Sequence, residues 1–482
     1  MNNEIKIALP KGRLLAQTAS LLEKAGWGLD GYTKEMPLYR LKSRQFPGLL
    51  SKIFQEKDIP IQVAVGNYDF GICGLDWIEE LLVKYPSSAL VKLRDLGYGD
   101  SSLFVVASRS GSIPTLKTIP AKESLLRIAS EYPNLAESFA LNLRAKRFSI
   151  FPVWGAAEGY PPENADLALI SRKTDEKINH ELVPLTRLFD CTACLIANRN
   201  SWEKKDLSHI LGSIEAVLPI QDTRKTATRQ NVFVETTRAS KSANLPAMDK
   251  NLVRLALPDG HQQEPTAQLL SRAGIKLDDY PSKTGSCRPN VNLDGVTIKV
   301  IRPQDMPLQV ANNNFDIAIT GKDWLREHLY QFPSSPVTEL LDLKSGKVRI
   351  VAVVSNELPA NDIYSLRQVY TEKSAPIRIA SEYTNIADRY AQDNHLGKYR
   401  VLPTWGATEA FLPEDADLLI ENTETGRTIA RHNLKIIDTL FESTGCIIGN
   451  KDSLSNRAKS KIIKSIIEKL RTAVEDTQSE SH

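Results

Sequence analysis

Short apolar runs alternate with amphipathic stretches along most of the chain. In the first half, the apolar runs that predict strands are IKIALP (5–10), VAV (63–65), FGIC (70–73), SLFVVA (102–107), LLRIAS (125–130) and ADLALI (165–170). After the first run, Leu14, Leu15, Leu21 and Leu22 recur on one side of a helical pattern, which predicts an amphipathic helix. Runs rich in β-branched residues that alternate with helices predict an α/β fold built on parallel strands.

Each half also closes on a predicted amphipathic helix. Its apolar stripe covers 207–218 in the first half and 458–473 in the second. The polar, weakly patterned stretch 219–250 between the halves predicts a linker, with one short strand at Val232–Val234. The polar end of the chain, 477–482, predicts a disordered tail.

The two halves share more than a pattern, because short segments of the first half return in the second. IASEY at 128–132 returns at 379–383, and a Trp-Gly-Ala segment returns in the same order. Each unit is about 230 residues long, well beyond the roughly 20–50 residues of a solenoid repeat. We therefore predict a tandem duplication, with a first copy at 1–218 and a second at 251–476. Such a duplication predicts an internal pseudo-dimer and leaves further oligomerisation open.

Composition narrows the class of protein. The net charge of +3 over 482 residues gives no support to a nucleic-acid partner. Residues 1–13 are strand-like and unlike a signal peptide, and no apolar stretch reaches the roughly 18 residues that span a bilayer. We therefore expect a cytoplasmic protein with no membrane partner. Cys191 and Cys194 form a C-x-x-C, which is typical of redox or metal sites, but their apolar surroundings favour a buried strand.

The segment most suggestive of chemistry is ADLLIENTETGRTIARHNL at 416–434. A predicted strand leads into the acidic Glu421, and a polar loop, 422–428, leads into a predicted helix. Backbone N–H groups of such a loop bind phosphate, and Gly426 lets the backbone approach a ligand closely. An acidic side chain at a strand end can accept hydrogen bonds from ribose hydroxyl groups. The loop alone fits a site for a phosphorylated sugar and an unliganded strand-to-helix turn equally well.

Several segments in combination resemble the catalytic part of ATP phosphoribosyltransferase, the first enzyme of histidine biosynthesis. They are IKIALPKGRLL (5–15), RPQDMPLQVANNNFDIAITGKDW (302–324), RIASEYTNIADRY (378–390), GATE (406–409) and ENTETGRTIARHNL (421–434). The resemblance implies two tandem copies of a bilobal α/β unit related to type II periplasmic binding proteins, with the active site between the lobes. It implies that N1 of ATP displaces pyrophosphate from C1′ of phosphoribosyl diphosphate. Mg²⁺ would be held mainly by substrate phosphates, so no protein metal site is expected.

The same resemblance assigns roles to individual residues. Arg302, in the RPQDMP segment, is expected to be the catalytic residue that stabilises the diphosphate. The residues expected to bind phosphoribosyl diphosphate are Glu421, Thr423, Thr425, Gly426, Arg427 and Thr428. Those expected to bind the nucleotide or substrate phosphates are Lys11, Gly12, Arg13 and Glu409. Arg378 and Glu382, which recur in the first copy, either line the cleft or orient the following helix, and the second role is favoured.

The two copies differ at several of these positions. The second copy has DGH (259–261) where the first has KGR (11–13), and the first has Gln55 where the second has Arg302. The first-copy stretch 171–176 also lacks the acidic residue and the Thr-Gly of the second-copy loop. Either the halves complete one another across their interface, or the second copy works while the first is a scaffold or regulator. We hypothesise one competent phosphoribosyl site per chain, formed by the second copy.

Two other functions stay open on the sequence. One is a ligand-binding or regulatory pseudoenzyme, because a bilobal fold of this kind binds small anions without chemistry. The other is a phosphoribosyltransferase that acts on a different base. The family's short form pairs with a histidyl-tRNA-synthetase-like regulatory subunit, which makes such a subunit a candidate partner. After Asn450 the pattern predicts only a helix and a tail, so the chain resembles a doubled short form.

Overall fold

The computed structural model describes residues 4–33, 38–110, 116, 119, 124–173, 176, 178, 181–218, 251–281, 287–371 and 375–480. The described residues form four β-sheets flanked by helices, two sheets in each copy. Each sheet with its helices is a lobe, and we name the lobes A1 and A2 in the first copy and B1 and B2 in the second. The predicted α/β fold of two tandem bilobal units is confirmed. The predicted linker, 219–250, and its short strand lie outside the described residues.

Lobes A1 and A2 form the first copy. The strands of A1 are β1 (Ile5–Pro10), β2 (Arg40–Lys42), β3 (Leu49–Phe54), β4 (Phe70–Gly74), β5 (Leu90–Asp95) and β11 (Ala193–Asn198), in the order β2-β3-β1-β4-β11-β5. Its helices are α1 (Leu15–Lys24), α2 (Asp58–Ala64), α3 (Leu75–Lys84), α5 (Arg199–Lys204) and α6 (Ser208–Glu215). Lobe A2 consists of β6 (Ser101–Ser108), β7 (Leu126–Ser130), α4 (Pro133–Asn142), β8 (Phe148–Pro152), β9 (Leu167–Lys173) and β10 (Leu182–Cys191), in the strand order β10-β6-β9-β7-β8.

Lobes B1 and B2 repeat this plan in the second copy. The strands of B1 are β12 (Val253–Pro258), β13 (Val296–Ile301), β14 (Ile317–Gly321), β15 (Val337–Asp342) and β21 (Gly445–Asn450), in the order β13-β12-β14-β21-β15. Its helices are α7 (Gln263–Arg272), α8 (Met306–Ala311), α9 (Lys322–Gln331), α13 (Lys451–Ser455) and α14 (Arg457–Glu480). Lobe B2 consists of β16 (Val348–Ser355), α10 (Ile363–Thr371), β17 (Ile377–Ser381), α11 (Thr384–Asp393), β18 (Tyr399–Pro403), β19 (Leu418–Thr423), α12 (Arg427–Arg431) and β20 (Leu434–Ser443), in the strand order β18-β17-β19-β16-β20.

The sheets are mixed, which corrects the expectation of parallel strands. In A1, β1 pairs in parallel with β3 and β4, but β11 enters the same sheet antiparallel to β4 and β5. The chain reaches β11 only after it has built A2, so it crosses between the lobes a second time. β21 makes the same return into B1. These second crossings make each copy bilobal, with a cleft between its two sheets.

The predicted strand at 63–65 is wrong, because these residues lie in the last turn of α2 and just after it. Ile59 and Val63, one helical turn apart, are fully buried, whereas Val65 is 64% exposed. Three apolar residues carry too little pattern to separate a strand from a helix, and the i, i+4 spacing of the buried pair is the helical signal.

The predicted disordered tail at 477–482 also differs from the structure, since α14 continues through Glu480. Thr477 donates a 2.8 Å hydrogen bond to the Ala473 carbonyl and accepts one of 2.8 Å from Arg272 of α7. The polar composition of this segment did not predict a helix. The contact with α7 therefore accounts for the continuation of α14. Residues 481–482 lie outside the described residues.

The two copies pack head to tail, so that A1 contacts B2 and A2 contacts B1. One apolar cluster joins Phe54 of A1 to Phe411 of B2, whose ring centres are 5.2 Å apart. A matching cluster joins Tyr160 of A2 to Met306 of B1. The internal two-fold relation that the duplication suggested is therefore built into the core of the chain.

Matching buried lysines reinforce both contacts. Lys52 Nζ in A1 donates to the Ala410 carbonyl of B2 at 2.7 Å, and Lys299 Nζ in B1 donates to Asn164 Oδ1 of A2 at 2.9 Å. Burial lowers the pKa of both lysines to about 8. Because of this packing, each second lobe faces the first lobe of its own copy across the cleft and the first lobe of the other copy across the interface.

Candidate active site

The predicted strand–loop–helix at 421–428 is present in lobe B2. Strand β19 ends at Thr423, and α12 begins directly after Gly426, whose φ is +75°. Thr423 Oγ1 accepts a 2.9 Å hydrogen bond from the Gly426 N–H, and Thr425 Oγ1 accepts one of 3.4 Å from the Arg427 N–H. The left-handed backbone at Gly426 explains the glycine, because other side chains are strained there. The threonines thus hold the loop in shape before any ligand arrives.

A cation that the sequence did not single out lies beside this loop. Arg349 comes from β16, the neighbour of β19, and its Nη2 lies 4.0 Å from the position that a Cβ atom would take at Gly426. The matching residue of the first copy is Ser102. At this pair of neighbouring positions, B2 has Arg349 beside Thr423, whereas A2 has Ser102 beside Arg172.

Three carboxylates gather next to the loop, from Glu382 after β17, Glu409 in the turn 408–411 and Glu421 in β19. Burial raises the pKa of Glu421 well above its usual range, and the charges of Glu409 and Glu382 raise it further. Burial also raises the pKa of Glu409, and it raises that of Glu382 to about 7. Carboxylates that raise one another's pKa in a cleft are typical of binding and catalytic sites. Ligand hydroxyl groups or a cation would relieve this repulsion.

The equivalent surface of A2 is neutralised by the chain itself. Ile170 stands where B2 has Glu421, and Glu158, the match of Glu409, is paired with Arg172 Nη2 at 2.9 Å. Thr423 is the residue of the second copy that matches Arg172. The first copy therefore lacks both the acidic strand end and the free carboxylate that faces it.

Arg13, predicted to bind substrate phosphate, is engaged within the first copy. Its Nη2 lies 2.7 Å from both carboxylate oxygens of Asp76, and its Nε lies 3.0 Å from Glu56 Oε2. Its Nη1 donates to Ser101 of A2 at 3.2 Å and to Ser171 of A2 at 3.4 Å. This guanidinium thus bridges A1 and A2 across the cleft of the first copy, and a phosphate role for it stays a prediction.

Lys11, only two positions earlier, points to the other copy. Its Nζ donates to Tyr39 Oη at 2.7 Å, and the Tyr39 ring stacks on His432 of B2 with ring centres 4.7 Å apart. The charge of Lys11 lowers the pKa of Glu409, whereas burial raises that pKa and has the larger effect. Gly12 between Lys11 and Arg13 has a φ of +90°, which lets the loop turn between these two directions.

Arg302 also reaches across the interface, in this case from the second copy to the first. Its Nη1 lies 3.1 Å from Asp259 Oδ2, and a Cβ atom at Gly155 of A2 would lie only 2.8 Å from its Nε. Its positional match Gln55 packs in the same way on Gly406 of B2. The contacts of Arg302 therefore place it against the first copy's second lobe, and its predicted catalytic role stays a prediction.

The predicted residues thus divide into two groups. Those that lie in B2 are Glu409, Glu421, Thr423, Thr425, Gly426, Arg427 and Thr428. Lys11, Gly12 and Arg13 line the cleft between A1 and A2, and Lys11 also contacts Tyr39, which stacks on His432 of B2. Arg302 lies against A2. Arg378 pairs with Asp417 at 3.0 Å, and Glu382 Oε1 would lie 3.4 Å from a Cβ atom at Gly406. The role favoured for both residues, orienting the following helix, stays a prediction.

The described residues show neither a metal-binding cluster nor a membrane-spanning helix. Among the described residues, no group of three or more His, Cys, Asp or Glu side chains is arranged to hold a metal ion. No helix in the described part of the chain is both long and apolar enough to cross a membrane. Cys191 and Cys194 are buried at the junction of β10 and β11, where burial raises the pKa of both thiols.

Comparison with known families gives a clear match. The family model described as "HisG: ATP phosphoribosyltransferase" matches the chain at residues 55–216 and again at 302–472. One match lies in each copy, and together they cover well over half of the chain. The duplication inferred from short repeated segments is therefore a duplication of one family unit.

Curated relatives carry the same description. The ATP phosphoribosyltransferase of Chlorobaculum parvum is 32% identical over 229 residues, which are 46% of this chain and 72% of that protein. That of Prosthecochloris aestuarii is 31% identical over 230 residues, which are 47% of this chain and 72% of that protein. Each match thus has the length of about one copy and leaves more than a quarter of the relative unmatched.

Solved structures are more distant. The ATP phosphoribosyl transferase (HisG:HisZ) complex from Thermotoga maritima covers 47% of this chain and 100% of the matched chain, at 23% identity and a TM-score of 0.39. The periplasmic domain of BvgS from B. pertussis covers 98% of this chain and 90% of its own, at 10% identity and a TM-score of 0.28. TM-scores of this size are too low to support a conclusion about fold or partners.

Proposed function

Because the chain belongs to the ATP phosphoribosyltransferase family, whose reaction joins N1 of ATP to C1′ of phosphoribosyl diphosphate, we propose that it catalyses this reaction at a single site on lobe B2. Pyrophosphate is the other product, and the reaction is the first step of histidine biosynthesis. The first copy would complete the site across the interface rather than form a second one.

The observation that carries this proposal is the asymmetry between B2 and A2. Lobe B2 combines the strand–loop–helix at 421–428 with Glu409 and Glu421, which form no ion pair with the described residues of their own copy, whereas A2 has Ile170 in place of Glu421 and pairs Glu158 with Arg172. A ribose 5-phosphate needs both a phosphate cradle and acceptors for its hydroxyl groups. Among the described residues, those of B2 offer both.

The residues of B2 would divide the work of binding the sugar. The Glu421 carboxylate would accept hydrogen bonds from the ribose hydroxyl groups, which would relieve its repulsion with Glu409. The N–H groups after Thr425, together with the Arg349 guanidinium, would hold the 5′-phosphate. Threonine hydroxyl groups of the loop would donate further hydrogen bonds.

The chemistry asks for little more than this positioning. Displacement of pyrophosphate passes through a transition state with oxocarbenium character, which needs aligned reactants and stabilised phosphate charge rather than a protein nucleophile. Lys11 of A1, whose partner Tyr39 stacks on His432 of B2, would be the cation that meets substrate phosphates at B2. Mg²⁺ would be held mainly by substrate phosphates, with the nearby carboxylate oxygens being of the kind that this ion prefers.

The direct test mixes the purified full chain with ATP, phosphoribosyl diphosphate and Mg²⁺ and follows N1-phosphoribosyl-ATP by mass spectrometry. The assay is run with and without a histidyl-tRNA-synthetase-like subunit, since such a subunit is the regulatory partner that we propose for the chain. Glu421→Gln should lower kcat/KM for phosphoribosyl diphosphate by at least tenfold, because it removes acceptors for ribose. Glu158→Gln, at the first-copy match of Glu409, should change it less than twofold.

Calorimetry measures how many molecules of phosphoribosyl diphosphate bind per chain. One phosphoribosyl diphosphate should bind per chain, and binding should be lost in Glu421→Gln. Two equivalent ligands per chain, or equal effects of the two variants, would rule out a single site on B2. Binding without product in either assay would favour a pseudoenzyme, and product only with another base would identify a different phosphoribosyltransferase. We also propose a cytoplasmic location, as expected for a biosynthetic enzyme that uses ATP.

A further inference from the structure

A cavity of about 540 Å³ lies between the two copies, on the approximate two-fold axis that relates them. Its walls pair matching residues of the two copies, such as Trp77 with Trp324. Lys57 breaks this symmetry, because the matching residue of the second copy is Gln304. Among the described residues that line the cavity, Lys57 is the only lysine or arginine. The axis therefore carries one positive charge where a symmetric dimer would carry two or none.

Tryptophan rings from both copies surround the ammonium group of Lys57. Its Nζ lies 5.4 Å from the ring centre of Trp77, 5.9 Å from that of Trp154 and 6.0 Å from that of Trp405. An ammonium group within about 6 Å of an aromatic ring is attracted by the negative face of the ring. This cage holds the lysine on the axis, although burial lowers its pKa.

Two matching carboxylates flank the cation, one from each second lobe. Glu131 Oε2 of A2 lies 3.9 Å from Lys57 Nζ. On the opposite side, a Cβ atom at Gly406 would lie 3.0 Å from Gln55 Nε2 and 3.4 Å from Glu382 Oε1. The segment that carries Lys57 therefore packs directly beside Glu382. The ammonium group of Lys57 thus lies close to two acidic groups, and each of these lies at the edge of a different cleft.

Glu382 also belongs to the carboxylate cluster of B2. After burial, which raises its pKa to about 7, the charge of Lys57 has the largest effect and lowers that pKa, while Glu409 raises it. The other titratable or charged groups of the described residues that face Lys57, Glu382 or the cluster are Lys11, Asp58, Glu80, Glu131, Arg302, Asp305, Glu327, His328 and Glu421. The charge balance of the B2 site thus depends on a residue of the first copy.

We propose that Lys57 is a positioning residue for the phosphoribosyl site of B2: from its tryptophan cage on the axis, its ammonium group balances the Glu382–Glu409–Glu421 cluster. This inference rests on the proposed function, because it assigns the cluster to ribose binding. Ionised carboxylates accept hydrogen bonds from ribose hydroxyl groups, whereas a protonated cluster has fewer acceptors. The first copy would then contribute charge to the site without forming a site of its own.

The test compares Lys57→Gln, which copies the second-copy residue, with Lys57→Arg, which keeps the charge. The measurement is the pH profile of kcat/KM for phosphoribosyl diphosphate, whose acidic limb reports groups of the free enzyme. Loss of the positive charge raises the pKa of the cluster, so the acidic limb should move to higher pH by about one unit in Lys57→Gln. Lys57→Arg should keep the wild-type limb. Gln304→Ala, on the other wall of the cavity, is the matched control and should also keep it.

A second readout is independent of turnover. Tryptophan fluorescence of the ligand-free full chain, titrated across the neutral pH range, should have a higher midpoint in Lys57→Gln than in Lys57→Arg. Equal midpoints, or a variant that melts at a lower temperature with its limb unmoved, would make Lys57 a structural contact only and overturn the proposal. If the wild-type chain forms no product, the proposed function fails, and the fluorescence midpoints still decide whether Lys57 controls the cluster.

Discussion

Replacement of Arg13 by methionine should strongly destabilise the first copy, because this guanidinium neutralises two buried carboxylates. The Asp76 side chain is 0% exposed and the Glu56 side chain 7% exposed, and each lies within 3.0 Å of an Arg13 nitrogen. A further 3.2 Å hydrogen bond joins Arg13 to Ser101 of the other lobe. Methionine keeps most of the volume of the side chain, so the loss is one of charge and hydrogen bonds rather than of packing.

The expected loss of unfolding free energy is about 3–5 kcal/mol, the usual cost of removing one partner of a buried ion pair. The pH dependence of this loss follows from Glu56. Burial raises the pKa of Glu56 to about 7, although the charge of Arg13 lowers it. Without Arg13 that pKa rises further, so the folded variant takes up a proton as the pH falls. A carboxyl group whose pKa is higher in the folded state than in the unfolded state makes the fold more stable at low pH than at high pH. The loss should therefore be smaller below pH 7 than above it.

Urea unfolding followed by tryptophan fluorescence measures this loss. His261→Ala is the matched control, since His261 occupies the same position in the second copy and is exposed, so it should cost less than about 0.5 kcal/mol. A loss for Arg13→Met no larger than the control, combined with a raised KM for ATP or phosphoribosyl diphosphate, would refute the reasoning. Arg13 would then be the phosphate ligand that the family resemblance implies.

Three further outcomes are expected. Gly426→Ala should weaken phosphoribosyl diphosphate binding at least tenfold, whereas Gly397→Ala, with a similar positive φ of +70° but far from the site, should cost about 1 kcal/mol of stability and leave activity intact. Arg349→Ala should raise KM for phosphoribosyl diphosphate about tenfold and Ser102→Ala should leave it unchanged, as steady-state kinetics would show. Tyr383→Phe should cost about 1–3 kcal/mol in urea unfolding, because its buried hydroxyl bonds to both lobes of the second copy; a neutral effect would contradict this.

The pattern of apolar residues predicted an α/β fold, and the internal repeat predicted two copies of it. Strand β1 and the helix after it follow from local periodicity, since a buried strand and an amphipathic helix each place apolar residues at a characteristic spacing. Repeated segments predict repeated structure, so the two copies were readable before any contact was known, whereas their bilobal form was implied by the family resemblance. The strand–loop–helix with Glu421 was also readable, because its residues are contiguous in sequence. Three-residue patterns such as 63–65 failed, because they are too short for either period.

Only the tertiary structure decided which lobe each charged side chain serves. Lys11 and Arg13 are two positions apart, yet Lys11 faces B2 of the other copy and Arg13 bridges the lobes of its own. Arg302 belongs to the second copy but packs on Gly155 of the first. Glu382 and Lys57 meet at the axis although no local pattern connects them. The physical reason is that head-to-tail packing brings the first lobe of one copy to the second lobe of the other, and such pairings depend on the docked surfaces rather than on sequence spacing.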